Sequence, residues 1–388
     1  MTELGKPLYL DYLATTPVAE EVAQAMISCL TYESDFGNPA SRTHSYGWQA
    51  EHRVELARGQ VADLIGADAR EIIFTSGATE SNNLALKGVF ERLDFRGHCV
   101  TSAIEHKAVL DPVNVLQKRG VGVSFVPASK DGLIDASAIE RHLRADTRLV
   151  SIMYVNNELG TINPIPEIAE LCRDKGILLH VDAAQAVGKL DIDLRNLPVD
   201  MLSISAHKFY GPKGVGALFM RRGCSIAPVA QIHGGGHERG FRSGTLATHQ
   251  LVGMGAAAEL AGRRMPLDQA ELAVLGKQLL EGLLAIEGTV LNGSVSERLP
   301  QAVNVSFTGV GGEALIAALN DIAVSSGSAC NSAVMKPSHV LLGIGADRSR
   351  ADSAIRFSLG RNTTQEQVAR AVEVVTRTVS LLRGKSLD

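Results

Sequence analysis

The sequence has no apolar run approaching the ~18 residues that a membrane-crossing helix needs. The richest candidate, LVGMGAAAELAGRRM, is short, rich in small residues and ends in arginines. The start, MTELGKPLYLDYLATTP, carries neither a basic leader nor a continuous apolar stretch, so a secretory signal is not expected. There is no basic block, and a net charge of −4 with acids and bases intermixed argues against a surface that grips nucleic acid. The five cysteines (Cys29, Cys99, Cys172, Cys224 and Cys330) are odd in number and form no CxxC pair. That argues against a disulfide framework and a zinc knuckle, and fits free thiols in a reducing cytoplasm. No internal repeat or low-complexity segment is evident.

What is there is an ordinary globular composition, 45% hydrophobic and 21% charged, over 388 residues. That length suits about two domains. From about residue 70 to 220, short apolar runs alternate with helical patterns. EIIFT (71–75), HCVTSA, VGVSFV, RLVSIMYV, GILLHVD, DMLSISA and GVGALFM read as strands, with helices near 78–92, 107–119, 135–144 and 164–175. Such alternation predicts an α/β fold, a parallel or mixed sheet with helices on both faces. Ligands of such sheets bind beyond the carboxyl ends of the strands.

After about residue 262 the pattern changes. A helix over 267–287 precedes strand candidates NVSFTGV, IAVSS and SAIRFSL, and a closing helix begins at Thr364. In that helix Val368, Val372, Val375, Val379 and Leu382 step by four and three and line one face, and Thr363 or Thr364 supplies the N-cap. The expected domains are a large one over 14–262 and a smaller α+β one formed by 1–13 with 263–388.

Three stretches carry chemistry. Asp182 ends the GILLHVD strand, with Gln185 three residues on, and Lys208 follows the SISAH strand. A lysine at a strand end in a partly apolar pocket has its pKa lowered and can form a Schiff base. An acid on a neighbouring strand end can keep a pyridinium protonated, as pyridoxal phosphate requires. Taken singly, Asp182 reads as a helix cap and Lys208 as a solvated turn residue. The third stretch, TSGATESNN (75–83), is a strand, a glycine turn and a helix start, which offers backbone N–H groups to a phosphate. It lacks both GxxxxGK[ST] and GxGxxG, which disfavours a nucleotide P-loop or a dinucleotide site.

TSGATESNN, EHKAVLD, VNNELG, HVDAAQ, SAHKFYGPKG, GGGHERGFRSGT, SSGSAC and RFSLGR occur in an order that resembles cysteine desulfurases of the NifS/IscS type. These are class-V aminotransferases, and the likeness spans nearly the whole chain. The resemblance implies the aspartate-aminotransferase-like fold of pyridoxal-phosphate enzymes (fold type I). It implies a large domain with a mixed seven-stranded sheet, a homodimer with shared active sites, and conversion of L-cysteine to L-alanine with sulfur kept as a persulfide. Another pyridoxal-phosphate enzyme, such as a selenocysteine lyase, would keep Lys208 and Asp182 without needing a carrier cysteine.

By resemblance, Lys208 is the Schiff-base lysine, Asp182 the pyridinium partner and Gln185 the donor to the cofactor's phenolate oxygen. His106 stacks on the ring and assists proton transfer; alone, it would read as a helix-start histidine bonded to backbone. Ala78, Thr79, Ser205 and His207 form the phosphate cradle, joined by Thr245 from the other subunit. Asn157 and Arg356 hold the substrate carboxylate, with a stabilising ion pair as the structural alternative for Arg356. Cys330 is the sulfur acceptor, and its serine-rich surroundings (about 325–337) read as a mobile carrier arm of the long-loop branch. The other four cysteines read as small packed side chains.

Leu13 and Asn331 depart from the family's usual residues without removing a catalytic group. The sequence ends at GKSLD, directly after its last helix, where housekeeping members carry a longer tail that docks a scaffold. The acceptor protein is therefore open between iron–sulfur assembly, tRNA thiolation and DNA phosphorothioation.

Overall fold

The computed structural model describes residues 5–326 and 337–384. Strand β1 (Leu8–Tyr9) belongs to the second half of the molecule, as shown below. A seven-stranded sheet is built from β2 (Ile72–Thr75), β3 (His98–Ser102), β4 (Gly122–Val126), β5 (Thr147–Met153), β6 (Leu178–Asp182), β7 (Met201–Ser205) and β8 (Gly216–Met220). Their order is β2-β8-β7-β6-β5-β3-β4, with only β8 antiparallel to its neighbours. The central strands are buried on both faces, which is why they read as nearly unbroken apolar runs.

One face packs on Ser45–Leu64, Ile165–Lys175 and the start of Thr248–Leu284, through Val61, Ile168 and Met254. The other packs on Ala78–Arg92 and Lys107–Lys118, through Leu86, Phe90 and Val113. A polar rung crosses the middle of the sheet. His180 on β6 bonds Ser151 Oγ on β5 at 2.8 Å and Ser203 Oγ on β7 at 2.9 Å. Burial brings the His180 pKa down to about 4, so a neutral ring lies two residues before Asp182.

The second half has its own core. Strands β9 (Thr289–Leu291), β10 (Ala302–Phe307), β11 (Ile322–Ala323), β12 (Ser325–Ser326) and β13 (Ala354–Ser358) form two small sheets. One has the order β12-β13-β10-β9, and the other pairs β1 with β11 in parallel. IAVSS, expected as one strand, is thus divided between two sheets at Val324. Leu8 and Leu10 of the N-terminal arm pack among Val303, Phe307, Phe357 and Val375. The helix Gln365–Leu382 is capped by Thr364, whose hydroxyl accepts from Gln367 N while Gln367 returns an acceptor to Thr364 N. Of its expected apolar stripe, Val368, Val375 and Val379 are buried, Val372 is partly buried and Leu382 is exposed.

The pattern change near residue 262 is not a break in the chain's course. Thr248–Leu284 is one helix of 37 residues with Pro266 inside it. Its first part, through Ala261, packs in the sheet's core, and Leu272, Leu279 and Leu283 pack in the second core. The change in pattern marks the passage of a single rod from one core to the other.

Candidate functional site

A cavity of about 880 Å³ opens at the carboxyl ends of β5, β6 and β7, between the two cores. Asp182, Ser205, His207 and Lys208 enter it from strand ends, as the sheet rule requires. Asn157 comes from the turn after β5, His106 from the turn after β3, and Ala78 and Thr79 from the first turn of Ala78–Arg92. Gln185 follows β6 by three residues, and Arg356 arrives from β13 of the other core. Ten of the residues expected from the sequence therefore share one cavity. Thr245 is exposed and does not line it. Cys330 and most of its segment lie outside the described residues.

Lys208 Nζ donates to two backbone carbonyls, Leu13 O at 2.7 Å and Ala14 O at 2.8 Å. Burial, helped by the Arg356 charge, lowers its pKa to about 8, against the opposing pull of Asp11 and Asp182. An amine so tuned is part neutral near physiological pH and can attack a carbonyl. Leu13, noted as unusual in sequence, contributes its carbonyl; its side chain is packed in the sheet's core. Gln185 Nε2 also donates to Leu13 O, at 2.8 Å.

Asp182 is buried at the floor. Its Oδ2 accepts from Asn82 Nδ2 at 2.8 Å and its Oδ1 from Ala184 N at 3.0 Å. The helix-cap reading of Asp182 is not met, because residues 184–189 form turns and no helix, and its carboxylate lines the cavity. His106 Nδ1 accepts from Ala108 N at 3.1 Å at the start of Lys107–Lys118, as the backbone-bonded reading expects, and the residue also lines the cavity. Burial lowers the His106 pKa. His207 Nδ1 meets Thr15 Oγ1 at 3.1 Å, and burial with the nearby Lys208 charge takes its pKa down to about 4.

The wall at Ala78 suits a phosphate. Gly77 turns at φ +151°, a backbone shape that side chains disfavour, and the amides of Ala78 and Thr79 begin the helix beyond it. Gly216 packs against that turn so closely that a Cβ there would fall 2.6 Å from Gly77 Cα. In the same cavity Asn157 Oδ1 is buried without a partner among the described residues, so this side-chain amide can turn to meet a group that enters. A carboxylate at the floor, a lysine amine of lowered pKa and an amide-lined glycine turn fit pyridoxal phosphate at its ring nitrogen, aldehyde and phosphate respectively.

Residues 8–371 match the class-V aminotransferase family. The chain belongs to the class-V aminotransferases. Within that family it is similar to cysteine desulfurase IscS of Shewanella woodyi, with 55% identity over 98% of this chain and 94% of the relative. Among solved structures it is similar to a NifS-like protein at 38% identity and a TM-score of 0.90, covering 97% and 100% of the two chains. It is also similar to a structure described as SspA in complex with cysteine, at 38% identity and a TM-score of 0.82, covering 92% and 100%. Fold type I and pyridoxal phosphate as cofactor, both expected from the motifs, hold for this class-V aminotransferase of the NifS/IscS type.

Three groups of the site had no signal in the sequence reading. Asp11 lines the cavity and pairs with Arg356 at 2.6 Å. Glu158 lines it too, accepts from Ser338 Oγ, and burial raises its pKa to about 7. Glu105, beneath His106, is fully buried; it accepts from Ser102 Oγ and Met153 N, and burial raises its pKa to about 8. Glu105 and Glu158 adjoin the assigned His106 and Asn157, whereas Asp11 adjoins no assigned residue, and only the tertiary arrangement shows the three facing or underlying the cavity.

Proposed function

We propose that this cavity is where the chain works as a cysteine desulfurase, taking sulfur from L-cysteine onto Cys330 and releasing L-alanine. The observation that carries the reading is the meeting of Lys208, Asp182 and Arg356 in one cavity, in a chain 55% identical to a cysteine desulfurase. When bound, pyridoxal phosphate withdraws electrons from an attached amino acid, making its Cα hydrogen acidic and weakening its Cβ–Sγ bond.

The chain's own residues do the rest. Arg356 and Asn157 hold the substrate carboxylate, the arginine through a charge-assisted fork. Asp182 would hold a proton on the ring nitrogen, and Gln185 would donate to the ring's phenolate oxygen. Lys208 would hold the cofactor's aldehyde and, as a free amine, would take the substrate's Cα proton. His106, neutral because it is buried, passes a proton at the ring face. Cys330 Sγ, as thiolate, attacks the substrate sulfur. An S–S bond forms, the Cβ–S bond breaks with its electron pair going to carbon, and a proton there completes alanine. The balance is cysteine plus a protein thiol giving alanine plus a protein persulfide, with no outside oxidant.

Ala78, Thr79, Ser205 and His207 cradle the phosphate, and Thr245 joins them from the second subunit of a homodimer. Its exposure in the single chain accords with that role. The division into a large domain over 14–262 and a small one of 1–13 with 263–388 is part of this reading, with Leu13 and Leu299 packing across it into the sheet's core. The setting is cytoplasmic, and the persulfide passes to an acceptor protein of iron–sulfur assembly, tRNA thiolation or DNA phosphorothioation. Sulfur-35 transfer from labelled cysteine to candidate acceptors separates these. For the chemistry, Cys330→Ser is expected to stay yellow and bind cysteine yet form no protein-bound persulfide. Desulfuration at the unaltered rate in that variant would remove Cys330 from its role.

A further inference from the structure

Arg356 is buried, and its bonds to the described residues lie inside the cavity wall. Its Nη2 donates to Asp11 Oδ1 at 2.6 Å and to Ser325 Oγ at 3.1 Å, and its Nη1 donates to Asn157 O at 2.7 Å. Nε has no partner. Ser325 Oγ also donates to Asp11 Oδ1, at 2.9 Å. Asp11, Ser325, Asn157 and Arg356 all line the same cavity.

A guanidinium offers a carboxylate two forks, Nε with Nη2 and Nη1 with Nη2. Both forks use Nη2, which already donates to the Asp11 carboxylate and to Ser325 Oγ. An incoming carboxylate that takes a two-pronged hold on Arg356 therefore competes with Asp11 for Nη2. The pair has a physical reason, because a buried guanidinium without a counter-charge is strongly unfavourable.

We propose that Asp11 is a resident counter-carboxylate, occupying Arg356 until the substrate's carboxylate displaces it, and so limits the cavity's preference for amino acids over plain amines. The proposal rests on Arg356 being the carboxylate-binding residue. A ligand with a carboxylate gains the arginine at the cost of the Asp11 pair, whereas an amine without one has nothing to exchange. Removing the Asp11 charge should therefore tighten carboxylate ligands alone. If Asp11 instead served to hold Arg356 in position, removing it would weaken them.

The test is a titration of the holoenzyme with L-alanine and with ethylamine, its counterpart without the carboxylate, reading the visible absorption of the bound cofactor. Asp11→Asn keeps the shape and an acceptor oxygen but not the charge. It is expected to lower the Kd for L-alanine by about tenfold, the scale of one charge-assisted hydrogen bond, and to change ethylamine less than about twofold, the scale of an exposed ion pair. Asp11→Ser serves the same arms should the Asn variant fold poorly. An unchanged or weaker affinity for L-alanine would overturn the proposal, as would an equal gain for ethylamine. Arg356→Gln tests the underlying reading separately: it should abolish the preference for L-alanine over ethylamine. Should that preference survive, Arg356 is not the carboxylate residue, whatever Asp11→Asn does.

Discussion

Lys208 shows how much one residue's chemistry depends on its setting. Two carbonyls hold its amine, and burial with the Arg356 charge lowers its pKa to about 8. The neutral amine is the form that condenses with an aldehyde, and its fraction grows as pH rises through that value. Capture of pyridoxal phosphate by apoenzyme should accordingly accelerate with pH and level off above about 8, as followed by the growth of visible absorption. Lys208→Ala should show no such band after reconstitution. A band of normal intensity there would place the covalent link on another lysine. Glu105 and Glu158 work in the opposite sense. Burial raises both pKa values, to about 8 and about 7, so each holds its proton over much of the neutral range.

At the scale of elements, the segment containing GGGHERGFRSGT is more than a surface loop. Arg58, from the helix Ser45–Leu64, forks onto Glu238 at 2.7 and 2.8 Å. Glu238 also accepts from Phe74 N on β2 at 2.7 Å. Glu238 and Arg239 adopt φ of 48° and 55°, and Arg239 donates to Ile72 O at 2.7 Å. A few residues on, Arg242 pairs with Glu80 at 2.9 Å beside the amides of Ala78 and Thr79. The segment that carries Thr245 is thereby tied to the helix start that faces the cavity. Arg58→Met would leave Glu238 buried and unpaired, at a cost of about 3–5 kcal/mol in denaturant unfolding. Combining it with Glu238→Gln should recover most of that loss, because the stranded charge is gone while the acceptor for Phe74 N remains. A loss under 1 kcal/mol in the single variant, the scale of an exposed pair, would contradict this account.

Over the whole molecule, the site is the seam between two cores bridged by one long helix. Lys208 and Asp182 belong to the sheet's side and Arg356 to the other, so carboxylate recognition and cofactor chemistry meet only when the halves are packed together. The exposed position of Thr245 extends the same logic to a second copy of the chain. Thr245→Val should weaken cofactor retention by about tenfold, the loss of one hydrogen bond to a charged group. In a hybrid with Lys208→Ala chains, one site of the two regains both native residues. Such hybrids should retain cofactor at about half their sites with wild-type affinity; no recovery would mean that Thr245 serves its own chain.

The motifs alone determined the family, the cofactor and ten of the residues that line the cavity, because strand ends, glycine turns and chemically specific side chains are local features with a fixed order. Unbroken apolar runs and the period of about 3.6 likewise marked most strands and helices. Local pattern did not show that Thr248–Leu284 is one helix, since its apolar face changes partner part-way along. Nor did it show the division of IAVSS between two sheets, which depends on β1 and β13 reaching it from either end of the chain. Asp11 and Arg356 are 345 residues apart. Only the tertiary structure set that carboxylate on that guanidinium, because a buried charge takes whatever partner the fold brings within reach.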